Sequence, residues 1–309
     1  MKMTPKDFFL YLAAAVTLYV SAGSMIGLLF AIINHLTPDP ALNYYYAGGY
    51  SGGIQFAIAS LIIVFPLYLL VSWWIRKDVV EHPEKGTFWV RKWFIGLTLF
   101  VAGALVAGDL VALVFTFLGG ELTTRFVYKV IAIAAVAASV FGYYVYDLRR
   151  VAAGDTHVRT GLVGVMVVVM LVALGAGFGV LGSPAAQRDL KLDQERVYDL
   201  QNMQWEIINY WQTKEALPIM LSDLENDLGY FSVPVDPETG EAYEYRVVGE
   251  MTFELCAEFA TDSVNDKRRV PSHDIYIIPD SERWEHGMGV HCFTRTIDPD
   301  RYPAFEKAL

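Results

Sequence analysis

The sequence predicts an all-α membrane bundle of five transmembrane helices, followed by a small extracytoplasmic α+β domain in which a long helix packs on a short antiparallel sheet. Three observations predict it. Five apolar runs reach the ~20 residues needed to cross a bilayer: Phe8–Ile33, Ile54–Trp74, Trp93–Leu118, Phe126–Tyr146 and Gly161–Leu181. Charge is split along the chain. Residues 183–309 hold 25 acidic and 12 basic residues, a net charge of −13, whereas the preceding residues hold 9 and 12, a net charge of +3. Finally, the acidic part changes from helical spacing to strand alternation along its length. The domain boundaries that follow are 1–150 for a four-span domain, 151–182 for the fifth helix and 183–309 for the external domain.

The apolar content is 54%, and the mean hydropathy of +0.34 exceeds that of an ordinary soluble domain. The first span has no small-residue cleavage pattern after it, so it is expected to be an uncleaved anchor. Trp73, Trp74, Trp89 and Trp93 fall where interfacial aromatic belts are expected. With the N-terminus inside, ten basic residues lie inside (Lys2, Lys6, Arg76, Lys77, Lys85, Arg91, Lys92, Arg149, Arg150, Arg159) and two outside (Arg125, Lys129). The positive-inside rule then places the N-terminus in the cytoplasm and the C-terminal domain outside the cell or plasma membrane. Pro66 is expected to kink the second span for packing. Gly23/Gly27, Gly103/Ala107, Ala134/Ala138 and Gly175/Gly179 are spaced for close helix approach.

Asp109 is a lone carboxylate in the third span, and a charge in hydrocarbon costs several kcal/mol unless paired, neutralised or wet. It lies ~14 Å below the outer end of its span, and Lys129 ~5 Å into the next at 1.5 Å per residue. The short "GGELTT" turn makes these spans neighbours. The expectation is an intramembrane ion pair, Asp109–Lys129. The alternatives are a proton or cation site in a wet cavity, or a carboxylic acid kept neutral.

In the external part, Val197, Leu200, Ile207, Ile208 and Trp211 recur at helical spacing, and "IMLSDLEND" after Pro218 suggests a short second helix. Pro234 and Pro237 stop any helix, and Glu238-Thr239-Gly240 makes a turn. Residues Ala242–Val248 and Thr252–Phe259 predict a hairpin, with further strands at "HDIYIIP" and "GVHCFTRTI". In "TFELCAEF" Phe253, Leu255, Ala257 and Phe259 share one face, and Glu254, Cys256 and Glu258 the other. The two cysteines, Cys256 and Cys292, both fall outside, where a disulfide to a covering loop is the expectation. Unpaired thiols, or a metal site with His286 and His291, are the alternatives. Asp262, Asn265 and Asp266 are a weak calcium candidate, with a solvated turn as the plainer reading.

A membrane helix running into an amphipathic helix that ends "INYWQTKEALP", then "PVDPETGEAYEYR" and a small sheet, resembles type II secretion pseudopilins and type IV pilins over Gly161–Asp262. Pro234, Asp236, Pro237, Gly240, Tyr243 and Tyr245 carry that pilin-like motif. The departure is that four spans precede, and "VRTGLVGVMVVVM" lacks the early Glu of a pilin helix. "FAIASLIIVFPLYLL" and "FGYYVYDLRR" are similar to a bacterial four-span membrane family of unknown function, over about Phe9–Arg150.

Catalytic motifs for nucleotide, serine-hydrolase or zinc-protease chemistry do not occur, so no enzyme and no cofactor are expected. The acidity of the external part argues against nucleic acid as a partner. The expected partners are the lipid bilayer and other envelope proteins, with pilin or secretion components implied by the resemblance. The expected role is a scaffold or interaction protein of the envelope. The alternative is a small transporter, channel or sensor using Asp109.

Overall fold

A computed structural model describes residues 4–37, 50–83, 85, 88–120, 122–149, 156–225, 231–264 and 282–305. It divides into two units, Met1–Leu181 and Gly182–Leu309. Its described regular elements are five long apolar helices, a sixth, amphipathic helix, a 3₁₀ turn and a small three-stranded antiparallel sheet.

The first unit contains α1 (Pro5–Leu36), α2 (Tyr50–Glu81), α3 (Trp89–Leu118), α4 (Thr124–Arg149) and α5 (Thr156–Leu181). All five are long and apolar enough to cross a membrane. Each extends a turn or so past at least one end of its apolar run, because helical hydrogen bonding continues into the polar flanks. The start of α1 is fixed by a capping box: Asp7 Oδ2 accepts from the Thr4 N–H at 3.0 Å, and Thr4 Oγ1 accepts from the Asp7 N–H at 3.4 Å. At the end of α3, Gly119 and left-handed Gly120 (φ 73°) turn the chain. Pro66 lies inside an unbroken α2.

Helix α1 is the hub, packing against α2, α4, α5 and α3, while α3 packs chiefly on α4. The core joins Met25, Leu28 and Ala31 of α1 to Ile58 and Leu61 of α2 and to Ala173 of α5. The tight contact is at Gly177, where a Cβ would sit 2.7 Å from Leu28 Cδ1 and 3.3 Å from Ile58 Cδ1. The expected small-residue pairs do not supply it: a Cβ on Gly23, Gly27, Gly103, Gly175 or Gly179 meets nothing within 4 Å. Spacing alone identified small residues but not which of them faces a neighbouring helix.

In the second unit, Ser183 caps α6 (Pro184–Lys214), its Oγ accepting from the Ala186 N–H at 3.1 Å. The helix ends at left-handed Glu215 (φ 58°). The expected second helix is a single 3₁₀ turn, Leu221–Leu224, in which Asp223 caps the N–H groups of Ile219 and Met220. Strands β1 (Glu244–Val247), β2 (Thr252–Phe259) and β3 (Gly289–Thr296) form an antiparallel meander in that order. The sheet's inner face, with Phe253, Leu255, Phe259 and Phe293, packs with Leu200, Met203 and Ile207 of α6. The strand expected at "HDIYIIP" lies outside the described residues.

Replacing Gly177 with leucine should overpack the α1–α2–α5 junction, at a cost of about 1–3 kcal/mol. Thermal unfolding in detergent should show a lower midpoint for Gly177→Leu and little change for Gly175→Leu, which meets open space.

Candidate functional site

The "PVDPETGEAYEYR" segment folds into a clasp on α6. A bridge between Val235 and Ala242 closes its loop. Inside the loop the Asp236 N–H donates to Glu241 O at 2.8 Å, and the Gly240 N–H donates to Asp236 O at 2.8 Å. Gly240 has φ 72°, a conformation that favours glycine. Asp236 Oδ1 accepts from the N–H groups of Glu238 and Thr239, both at 2.9 Å. Pro237 holds the first turn position, where its missing N–H is not needed. Pro234 precedes the bridge.

Four members of the segment reach back to the helix or its exit. Arg196 Nε and Nη2 donate to the Asp236 carboxylate at 2.6 and 3.2 Å. The Tyr243 hydroxyl donates to Asp199 Oδ2 at 2.8 Å, and the Tyr245 hydroxyl to Pro218 O at 2.9 Å. Arg196 also donates to Asp193 Oδ1 at 2.9 Å and to Glu238 Oε2 at 3.0 Å. Asp193 is fully buried and accepts from the N–H groups of Ala260 and Thr261 and from the Thr261 hydroxyl. One guanidinium therefore joins α6, the clasp loop and the end of β2. Burial raises the Tyr243 phenol pKa, and its hydrogen bond to Asp199 raises it further.

Between the clasp loop and the end of β2 lies an open groove of about 390 Å³. Glu238, Glu241, Glu244 and Glu258 line it, together with Ala257 and Val290.

The cysteines sit on the outward face of the sheet. Cys256 of β2 and Cys292 of β3 are directly opposite in register and bonded, with a Cα–Cα distance of 4.0 Å. The bridge therefore crosses to the adjacent strand rather than to a covering loop. His286 stacks on Phe259 at 3.8 Å, and His291 lies against Phe293 at 4.8 Å. Among the described residues, no group of three or more His, Cys, Asp or Glu is placed to hold a metal ion. In the calcium candidate, Asp262 Oδ1 accepts from the Val264 N–H at 2.9 Å, and Asn265 and Asp266 lie outside the described residues.

The expected Asp109–Lys129 ion pair is not formed. Asp109 belongs to the buried stripe of α3 that includes Arg91, Ile95, Thr98 and Ala102, and it is 8% exposed. Among the described residues its carboxylate has no salt bridge or hydrogen bond. Lys129 Nζ lies 5.3 Å from the centroid of the Phe30 ring, and Arg125 Nε donates to Asn34 Oδ1 at 2.6 Å. Arg125 and Lys129 are four residues apart on α4, as are Phe30 and Asn34 on α1, so two successive turns match. That match turns the lysine toward α1, a direction the distance argument did not fix.

Sequence reading missed the charged cluster at the other end of the bundle. Lys85 Nζ donates to Asp78 Oδ2 at 2.6 Å and Asp7 Oδ1 at 3.1 Å, and Arg91 Nη2 to Asp147 Oδ2 at 2.6 Å. The hydrogen bond to Asp78 raises the Lys85 pKa, as does the one to Asp7, against the opposing effect of burial. The available signal was an acid at the third position of α1 and an acid near the end of α2 and of α4, beside a basic loop.

Residues 7–144 match a family model described as a domain of unknown function (DUF5671). That span covers most of α1–α4 and fits the resemblance to a multi-span family without assigned activity. No curated protein and no solved structure matches the chain.

The Asp236 carboxyl is a test of the clasp. Burial alone raises its pKa, but Arg196 and the N–H groups of Thr239 and Glu238 outweigh this and lower it from 3.8 to about 2. A depressed carboxyl contributes stability that is complete above the unfolded value and is lost as pH falls through the folded one. The second unit should therefore lose about 2 kcal/mol between pH ~4 and pH ~2. Asp236→Asn should lose a similar amount at neutral pH and flatten the acid dependence. Hydrogen exchange of peptides covering Arg196–Trp211, followed against pH in the full chain, measures both.

Proposed function

We propose that the chain is an integral protein of the cell membrane, with a cytoplasmic N-terminus and its acidic second unit outside. In this reading it is a scaffold that docks other envelope proteins, pilus or secretion components among them, on a pilin-like external domain. The observation that carries the membrane part is the outward-facing apolar surface of the helices. Phe100 is 73% exposed and Phe115 78%, and large aliphatic residues continue along α3 and α5. Such a surface is stable against lipid and would aggregate in water. The charge asymmetry of the loops supports the orientation. The disulfide supports it independently, because such bonds persist outside the reducing cytoplasm. The docking role rests on the helix-plus-sheet order of the second unit, its acidity and the clasp motif.

Cross-linking in native membranes tests this reading. The full chain should capture an envelope protein, and a chain ending at Leu181 should not. Equal capture by both would remove the docking role from the second unit.

One observation favours a second reading, a small transporter, channel or sensor. Asp109 is a buried carboxylate in an apolar helix, with no partner among the described residues. If it carries protons or cations, Asp109→Asn should abolish a flux across vesicles holding the purified protein, without changing cross-link capture. Flux equal to that of protein-free vesicles in the unaltered protein would rule this reading out.

A further inference from the structure

Among the described residues, the register of the sheet leaves the end of β2 unpaired on its β1 side. Strand β1 pairs with β2 from Val247↔Phe253 to Glu244↔Cys256 and then stops. Strand β2 continues through Phe259, still paired to β3. Continued register would set Ala242 opposite Glu258, but Ala242 is bridged to Val235 instead.

Which backbone groups are exposed follows from the ladder. At one end of β2 the Thr252 O accepts from the Val248 and Gly249 N–H groups, so even-numbered residues turn their N–H and C=O toward β1. The Met251 O accepts from the Ile297 N–H, so odd-numbered residues turn toward β3. The Cys256–Cys292 pair agrees, its 4.0 Å Cα separation marking a pair not hydrogen-bonded to each other. Glu258 therefore directs its N–H and C=O to the β1 side. Among the described residues no strand meets them there. The groove of about 390 Å³ opens at this place.

The charge of the groove selects the occupant. Glu238, Glu241, Glu244 and Glu258 rim it, and Arg196, the one basic residue lining it among the described residues, is already bonded to Asp193, Asp236 and Glu238. Backbone edges bind extended segments by main-chain hydrogen bonds, and the flanking side chains set specificity. We infer that this groove takes a short extended segment of a partner protein bearing lysine or arginine, which adds as a strand to the Glu258 edge of β2. The inference rests on the docking reading above and names its site and partner chemistry.

The probe is a short labelled peptide of alternating lysine and valine, titrated against the full chain in detergent and followed by fluorescence anisotropy. It should bind saturably, while a glutamate–valine peptide should not. N-methylation of the central backbone amides should weaken binding about tenfold, because the main-chain bonds to Glu258 are lost. Glu258→Lys with Glu241→Lys should weaken it by about tenfold or more through charge reversal at an unchanged melting temperature. Both side chains are exposed, so the fold is preserved. Equal binding of the N-methylated peptide would show attraction to charge alone and overturn strand addition. Undiminished binding to the doubly substituted protein would overturn the site. If that protein still captures its envelope partner in native membranes, the docking role stands and this groove is not its surface.

Discussion

A charge or backbone polar group removed from water must find a partner, and that constraint organises both units. In the second unit the constraint acts at Arg196. Arg196 lies between α6 and the clasp loop, where an unpaired guanidinium would cost several kcal/mol. It is bonded to three carboxylates, of which Asp193 and Asp236 are further satisfied by four backbone N–H groups. The surplus negative charge is thus spread over peptide dipoles rather than left between acids. Removing Arg196 would strand Asp193 and Asp236 together, so the helix, the loop and the end of β2 would lose their common tie at once.

In the first unit the same constraint acts at the helix ends. Asp7 both caps α1 and accepts from Lys85, which also binds Asp78, so the N-terminus of α1 is tied to α2 and to the segment before α3. Arg91 and Asp147 tie the start of α3 to the end of α4. Farther in, neutral hydroxyl pairs replace charges: Tyr19 with Thr98 at 3.1 Å, and Tyr68 with Tyr144 at 3.5 Å. The gradient from ion pairs to hydroxyls follows the falling ability of the surroundings to solvate charge.

Elements set by local chemistry were legible in the sequence. Hydropathy located all five apolar helices, because ~20 apolar residues in a row have few other uses. Alternation in "TFELCAEF" gave β2 and its inner face, and Gly240 marked the turn that requires left-handed backbone. What failed needed the rotation of one helix against another. Lys129 was within reach of Asp109 by rise per residue, yet its turn of α4 faces Phe30. Gly177 was not distinguished from Gly175 and Gly179, although only its position meets Leu28. The partner strand of Cys256 required the β2–β3 register, which no residue in either strand encodes alone. Arg196 was invisible for a related reason: it sits 40 residues from Asp236, within a helix already rich in charge.

Among the described residues, the clasp and the open edge of β2 are one structural event. Nothing in the covalent chain prevents Ala242 from continuing the β1 ladder opposite Glu258. The loop departs because Asp236 is drawn to Arg196, its backbone is folded on itself by the Gly240 turn, and Tyr243 is held by Asp199. Each of these contacts pulls the strand's approach toward α6 and away from the edge it would otherwise cover. An edge left to water loses little free energy, since water satisfies Glu258 as a strand would. Asp109 is the opposite case, because no water reaches an apolar helix face without a cavity, and its carboxylate is stable there only when neutral or hydrated. The edge is thus a low-cost opening maintained by strong contacts around it, and the carboxylate a costly group maintained by none among the described residues. That difference is why the acidic groove supports a binding role through its geometry, whereas Asp109 supports a role only through the energy that its retention requires.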